Sequence, residues 1–194
     1  MTKHRLILAS SSPYRHQLLE RLRLPFTTAS PDCDETAAPG ESPEVLVERL
    51  ARQKAESVAD RETDALVIGS DQVAEVAGSV LTKPGTRERA RAQLRQCSGQ
   101  VVTFHTGLCV IAARTGIASV IREPFAIHFR ALSDEEIERY LDREAPYDCA
   151  GSIRSEGYAI TLFDRMEGED PTALVGLPLL RLTAMLRAHG LSLP

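Results

Sequence analysis

The chain lacks most of the arrangements that fix a protein's chemistry at first sight. Its four cysteines, Cys33, Cys97, Cys109 and Cys149, form no C-x-x-C pair and have no histidines at metal-ligand spacing, so reduced and mostly buried thiols are expected. The five histidines make neither H-x-x-x-H nor H-E-x-x-H, which argues against a zinc enzyme and leaves oxygen donors for any metal. No long Lys/Arg tract is present and the formal net charge is −4, so neither a nucleic-acid polymer nor an anionic membrane is an expected partner; a small ligand is still allowed. Long apolar runs are missing too. After Met1-Thr2-Lys3-His4-Arg5 only Leu6 to Ala9 is apolar, too short for a signal segment or a membrane span, and a cytoplasmic protein is expected. Repeats, low-complexity tracts and linkers are absent. With 194 residues and 43% hydrophobic content, residues 1–194 are expected to form a single domain around one well-buried core.

What is present alternates between strand and helix signals. Leu6-Ile7-Leu8-Ala9 reads as a strand and Leu18-Leu19-Leu22 as a helical pattern, with Ser10-Ser11-Ser12-Pro13-Tyr14-Arg15 between them. Pro25 to Ala29 is a short second strand, followed by an acidic Pro/Gly loop from Asp32 to Pro43. Val47, Leu50, Ala51, Ala55 and Val58 keep the 3.6-residue period of a long helix. Leu66 to Ser70 reads as a buried strand closed by Asp71, and Thr86 caps a polar, Arg-rich helix to Cys97. Val101 to Ala112 and Ile117 to Phe129 flank the turn Arg114-Thr115-Gly116 as an antiparallel hairpin. Ser133 and Glu136 stand at capping-box spacing, and Gly190 closes a last helix begun near Pro178. The mixture predicts an α/β fold, a single-domain mixed β-sheet flanked by helices, with the site at strand ends.

Several positions carry chemistry, each beside a plainer reading. Ser12 suits an N-cap and Pro13 the first helical position; the loop is either a simple cap or an anion site with free amides, to which Arg15 adds a bidentate phosphate contact. Lys54 falls on or beside the apolar stripe of the long helix, either snorkelling to water or serving a site. Asp71 is either a turn aspartate or a carboxylate that holds a divalent metal or takes a proton from water. A second carboxylate set, Asp32-Cys33-Asp34-Glu35, and a further cation, Lys83, complete the inventory. Cations, paired carboxylates and a phosphate-binding loop suit attack of water on a phosphate chain, and no Ser-His-Asp or Cys-His set competes. Arg87, Arg91 and Arg95 share a helix face and are expected to be solvated.

Ser10-x-Ser12-Pro13-x-Arg15, Asp34-Glu35-Thr36, Lys54, Ser70-Asp71-Gln72-Val73, Lys83-Pro84 and Asp170-Pro171-x-x-Leu174-Val175-Gly176-Leu177-Pro178 follow in this order along nearly the whole chain. Together they resemble the Maf family of nucleoside triphosphate pyrophosphatases. The resemblance implies a cytoplasmic enzyme, commonly a homodimer, with a Maf/inosine-triphosphatase-like fold. It implies cleavage between the α and β phosphates with a divalent metal cation, Mg²⁺ or Mn²⁺. Asp71 then corresponds to the proton acceptor, Ser10, Ser12, Arg15, Lys54 and Lys83 to substrate-binding groups, and Glu35 and Asp71 to the metal ligands. Tyr14, Gln72 and Glu156 resemble the 7-methyl-GTP branch and depart from the dTTP/UTP branch. An aromatic ring such as Tyr14 suits stacking on a cationic base, and a carboxylate such as Glu156 suits the N1–H and amino group of guanine. The alternatives are a dTTP/UTP pyrophosphatase and a nucleotide-binding cell-division regulator with little turnover.

Overall fold

A computed structural model describes residues 5–193 of the chain; Met1 to His4, on which the expectation about a signal segment partly rests, lie outside the described residues. Strand β1 (Arg5–Ala9) leads through the serine loop into α1 (Pro13–Glu20), β2 (Phe26–Ala29), α2 (Pro43–Ala59), β3 (Ala65–Val76) and β4 (Ser79–Leu81). Helix α3 (Arg87–Cys97) precedes the hairpin β5 (Val101–Ala112) and β6 (Ile117–Phe129); α4 (Asp134–Glu144), β7 (Phe163–Glu167) and α5 (Leu179–Ala188) complete the order. The strands form one mixed sheet in the order β2-β1-β3-β5-β6-β7, with β4 paired to β3. Among the described residues no helix is long and apolar enough to cross a membrane.

Alternation along the strands sorts the sheet's two faces. Ile7, Ala9 and Val67 turn to the face covered by α2, against Ala51, Ala55 and Val58. Leu6, Leu8, Leu66 and Ile68 turn to the other face, against Leu18 and Leu19 of α1 and Leu182 and Leu186 of α5. Farther along the same strands, Ala74, Phe104 and Ile127 pack against Leu94 of α3 and Ile137 and Leu141 of α4. Thus two apolar clusters occupy opposite ends of one face, and polar side chains of β3 and β5 lie between them.

The expected caps form. Ser12 accepts from the Arg15 amide, Thr86 from the Arg89 amide, and Ser133 and Glu136 close a reciprocal capping box. Asp170 does more: fully buried, it accepts from the amide (3.0 Å) and hydroxyl (2.5 Å) of Thr172 and from the Leu180 amide in α5 (2.7 Å). One carboxylate therefore caps both the 3₁₀ turn Pro171–Val175 and the last helix. Asp170→Ala leaves these donors unpaired and is expected to cost about 3 kcal/mol, read as a fall in Tm of roughly 6–12 °C.

Three expectations are corrected. Asp71 does not close its strand, because β3 runs on to Val76 along β5, with Asp71 opposite Gly107. Only the parallel ladder ends there, at Ala9 opposite Gly69, so Asp71 sits just beyond the carboxyl end of β1. Arg87, Arg91 and Arg95 are not simply solvated: they pair with Glu138, Asp142 and Asp134 of α4 and tie the two helices together. Of the four free thiols only Cys97 and Cys109 are buried, and burial raises both to about 12; Cys33 and Cys149 are half-buried.

Candidate active site

Position and charge of the site follow from the packing of α2 on the sheet. Gly69 and Gly107 face that helix without side chains; a Cβ on Gly69 would stand 2.2 Å from the Ala51 carbonyl oxygen, and one on Gly107 2.0 Å from that of Val47. The helix therefore lies directly on the strands, and Lys54, on its buried stripe, reaches Asp71. Lys54 is only 5% exposed; its ammonium donates to Asp71 Oδ1 at 2.6 Å and forms an ion pair with Glu35 Oε1 at 2.7 Å. Snorkelling to water is excluded by that geometry. Glu35 comes from the acidic loop, whose course is fixed by Arg49: its guanidinium grips the Glu41 carboxylate (both bonds 2.7 Å) and the Thr36 carbonyl (3.0 Å), holding Glu41 down at about 2.

Above this pair opens a cleft of ≈ 670 Å³. Ser10, Ser12, Arg15, Glu35, Lys54, Asp71 and Lys83 all line it, so the structure brings together every residue expected to hold phosphate or metal. The serine loop is less open than expected: the Ser10 amide donates to Leu8 and the Ser12 amide to Ser10 Oγ. Arg15 donates Nε to the Gly176 carbonyl at 2.9 Å, which leaves its Nη nitrogens for a ligand. Its pKa is lowered by burial, with the Asp71 and Glu35 carboxylates acting against that fall; a guanidinium so placed stays charged. Gly176 is required there, since its φ is +103° and a Cβ would meet Arg15 Nε at 3.2 Å. Ser70, fully buried, donates to the same carbonyl at 2.8 Å. Arg15 and Ser70, the residue before Asp71, are thus both tied to the C-terminal turn.

The cleft continues into a smaller recess of ≈ 110 Å³ whose walls include Tyr14, Gln72 and Glu156, the residues expected to choose the base. Ser12, Arg15 and Lys83 line both spaces, as do Tyr14 and Gln72, so of the three residues expected to choose the base only Glu156 belongs to the recess alone. The Gln72 amide nitrogen is spent inside the fold, on the Ala173 carbonyl (2.6 Å) and Thr106 Oγ1 (3.0 Å). Glu156 is exposed at the recess mouth and accepts from Ser155 Oγ at 3.1 Å. Tyr14 donates its hydroxyl to Asp148 Oδ2 at 2.9 Å, and burial and that bond push it up to about 12.

Sequence reading missed Asp148 and Arg154. Both lie in an irregular stretch, Pro146 to Gly157, with no periodicity to mark an inward face. It also missed a cluster formed in space alone: Glu44, Glu75 and His105 bring potential ligand atoms within 4.8 Å of one another. His105 is already engaged, with Nε2 3.1 Å from Glu75 and Nδ1 3.2 Å from Arg122. An arginine only donates, so Nδ1 accepts and Nε2–H points to Glu75, leaving no ring lone pair for a metal. Glu35 and Asp71 are the better cation donors: hard oxygen ligands, two of them already drawn to one positive charge.

Residues 5–189 match the family described as Maf-like protein. The chain belongs to this family. A relative from Aromatoleum aromaticum called 7-methyl-GTP pyrophosphatase is 55% identical over 194 residues, covering 100% of both chains. Relatives of the same name from Nitrosococcus oceani (55% over 185 residues, 95% of this chain and 93% of the relative) and Pseudomonas aeruginosa (54% over 189 residues, 97% and 98%) match nearly end to end. Among solved structures, the Staphylococcus aureus Ham1 protein shares the fold, with a TM-score of 0.56 at 14% identity, covering 95% of this Maf-like chain and 99% of that one.

Proposed function

We propose that the protein hydrolyses 7-methyl-GTP to 7-methyl-GMP and pyrophosphate. The observation that carries this reading is the continuity of the site: a cleft lined by Arg15, Lys54 and Lys83 beside the Asp71 and Glu35 carboxylates runs into a recess lined by Tyr14 and Glu156. A triphosphate spans the first and its base fills the second. The relatives named 7-methyl-GTP pyrophosphatase support the same substrate.

The chain's own groups divide the work. Arg15, Lys54 and Lys83 neutralise phosphate oxygens, and the Ser12 end of α1 places its dipole toward them. Asp71, with Oδ1 on Lys54, keeps Oδ2 to orient the attacking water and take its proton. Glu35 and Asp71 would hold a divalent cation, Mg²⁺ or Mn²⁺, which supplies charge neutralisation at the phosphate chain. When triphosphate enters, its negative charge competes for the Lys54 ammonium and frees the carboxylates that the ammonium now joins. Tyr14 offers a ring face to the cationic 7-methylguanine, and Glu156 accepts from N1–H and the 2-amino group. In this reading the chain, one domain over residues 1–194, acts in the cytoplasm as a homodimer on a free nucleotide.

A turnover panel of 7-methyl-GTP, GTP, dTTP, UTP and CTP with Mg²⁺ tests the assignment. The expected result is a preference for 7-methyl-GTP with release of pyrophosphate. Preference for dTTP or UTP would keep the mechanism and overturn the base recess. Binding with no turnover on any nucleotide would move the protein to a regulator.

A further inference from the structure

The recess holds one group whose hydrogen bonding is incomplete. Arg154 donates Nη1 to Glu144 Oε1 (3.1 Å) and Nη2 to the Tyr14 hydroxyl (3.0 Å), with its guanidinium 5.8 Å from the Tyr14 ring centroid. Its Nε is buried and is the one such side-chain atom among the described residues without a partner. Glu144, 12% exposed, also accepts from the Tyr158 amide at 2.7 Å, so the guanidinium and the turn carrying Glu156 share one anchor. A buried N–H without an acceptor is unfavourable and calls for a reason, and Arg154 lines the recess together with Tyr14 and Glu156.

We propose that Arg154 is a specificity-determining residue that donates to O6 of the guanine base while Glu156 accepts from N1–H and the 2-amino group. This deepens the 7-methylguanine reading and rests on it. N7-methylation removes the N7 acceptor and leaves O6 as the acceptor next to N1–H. Two side chains two residues apart, one a fixed donor and one an acceptor, therefore match the guanine edge. Adenine opposes both, with an amino group at C6 and a lone pair at N1. Inosine keeps O6 and N1–H and lacks only the 2-amino group, so it separates the part read by Arg154 from a part read by Glu156 alone.

The test measures inhibition constants of GTP, ITP and ATP against 7-methyl-GTP turnover in wild type, Arg154→Met and Arg154→Lys. Arg154→Met is expected to weaken GTP and ITP together, by roughly tenfold to a hundredfold, with ATP unchanged. The GTP-over-ATP preference then collapses while GTP-over-ITP stays within about twofold. Arg154→Lys restores part of the loss, because an ammonium also donates to O6. If Arg154 merely props the Glu156 turn, GTP-over-ITP falls instead, and the proposal is overturned. Equal constants in wild type and both variants overturn it as well. A wild-type enzyme that ignores 7-methyl-GTP fails the substrate reading before any variant is compared. Tm values show that each variant is folded; should Arg154→Met not fold, the Arg154→Lys ratios decide.

Discussion

Asp71→Asn folds, still binds nucleotide, and turns over 7-methyl-GTP roughly 10²–10⁴-fold more slowly than wild type, the usual worth of a positioned general base. The change keeps the shape of the side chain and removes only its charge. Lys54 keeps Glu35 at 2.7 Å, so the buried ammonium is not left alone, and a fall in Tm of a few degrees at most is expected. The amide can still accept from Lys54 through its oxygen, but it takes no proton from water and is a poor partner for a hard cation. Initial rates over a range of nucleotide concentrations separate kcat from KM, and the loss should lie in kcat. A variant with full activity would remove Asp71 from the chemistry.

The sheet, the hairpin, the caps and the buried stripe of α2 were legible because each rests on local spacing: alternation for β5 and β6, the 3.6-residue period for α2, and Ser133 with Glu136 for the α4 capping box. Lys54 was visible as an anomaly on an apolar stripe, and the structure shows the reason, a bond to Asp71 from a site 5% exposed. Asp71 itself was misplaced within its strand. The residues after it pair with β5 through Val76, but the charged Asp71 ends the unbroken apolar run, and the continuation shows only against the partner strand. The bonds from Arg15 and Ser70 to Gly176 and from Gln72 to Ala173 span more than a hundred residues of sequence, beyond any periodic signal. The Arg154 network belongs to the same class. Its donors and acceptors come from α1, α4 and an irregular turn, which only the fold assembles.

Gly107→Ala is expected to be the most destabilising of the glycine-to-alanine changes, since its Cβ meets the nearest backbone atom, and to abolish activity in whatever fraction folds. The added methyl would stand 2.0 Å from the Val47 carbonyl oxygen and 2.5 Å from its carbon, both backbone atoms in the first turns of α2. No rotamer change relieves backbone contact, so the helix must lift from the sheet. Overpacking in a core typically costs about 1–3 kcal/mol, and a forced helix displacement belongs at or above the top of that range. At roughly 2–4 °C per kcal/mol for a chain of this size, a fall in Tm of about 6–12 °C or more follows. Gly116→Ala is the control: it too adds one methyl, at φ +70° with nothing within 4 Å, and should cost only about 1 kcal/mol of backbone strain. The functional loss has the same origin as the instability. Gly107 pairs directly with Asp71, and the helix it admits carries Lys54, so lifting α2 lengthens the 2.6 Å bond that joins the ammonium to the carboxylate. Thermal melts of the two glycine variants, read beside their kcat, test both consequences at once. Equal Tm values for Gly107→Ala and Gly116→Ala would mean that α2 does not depend on this close approach.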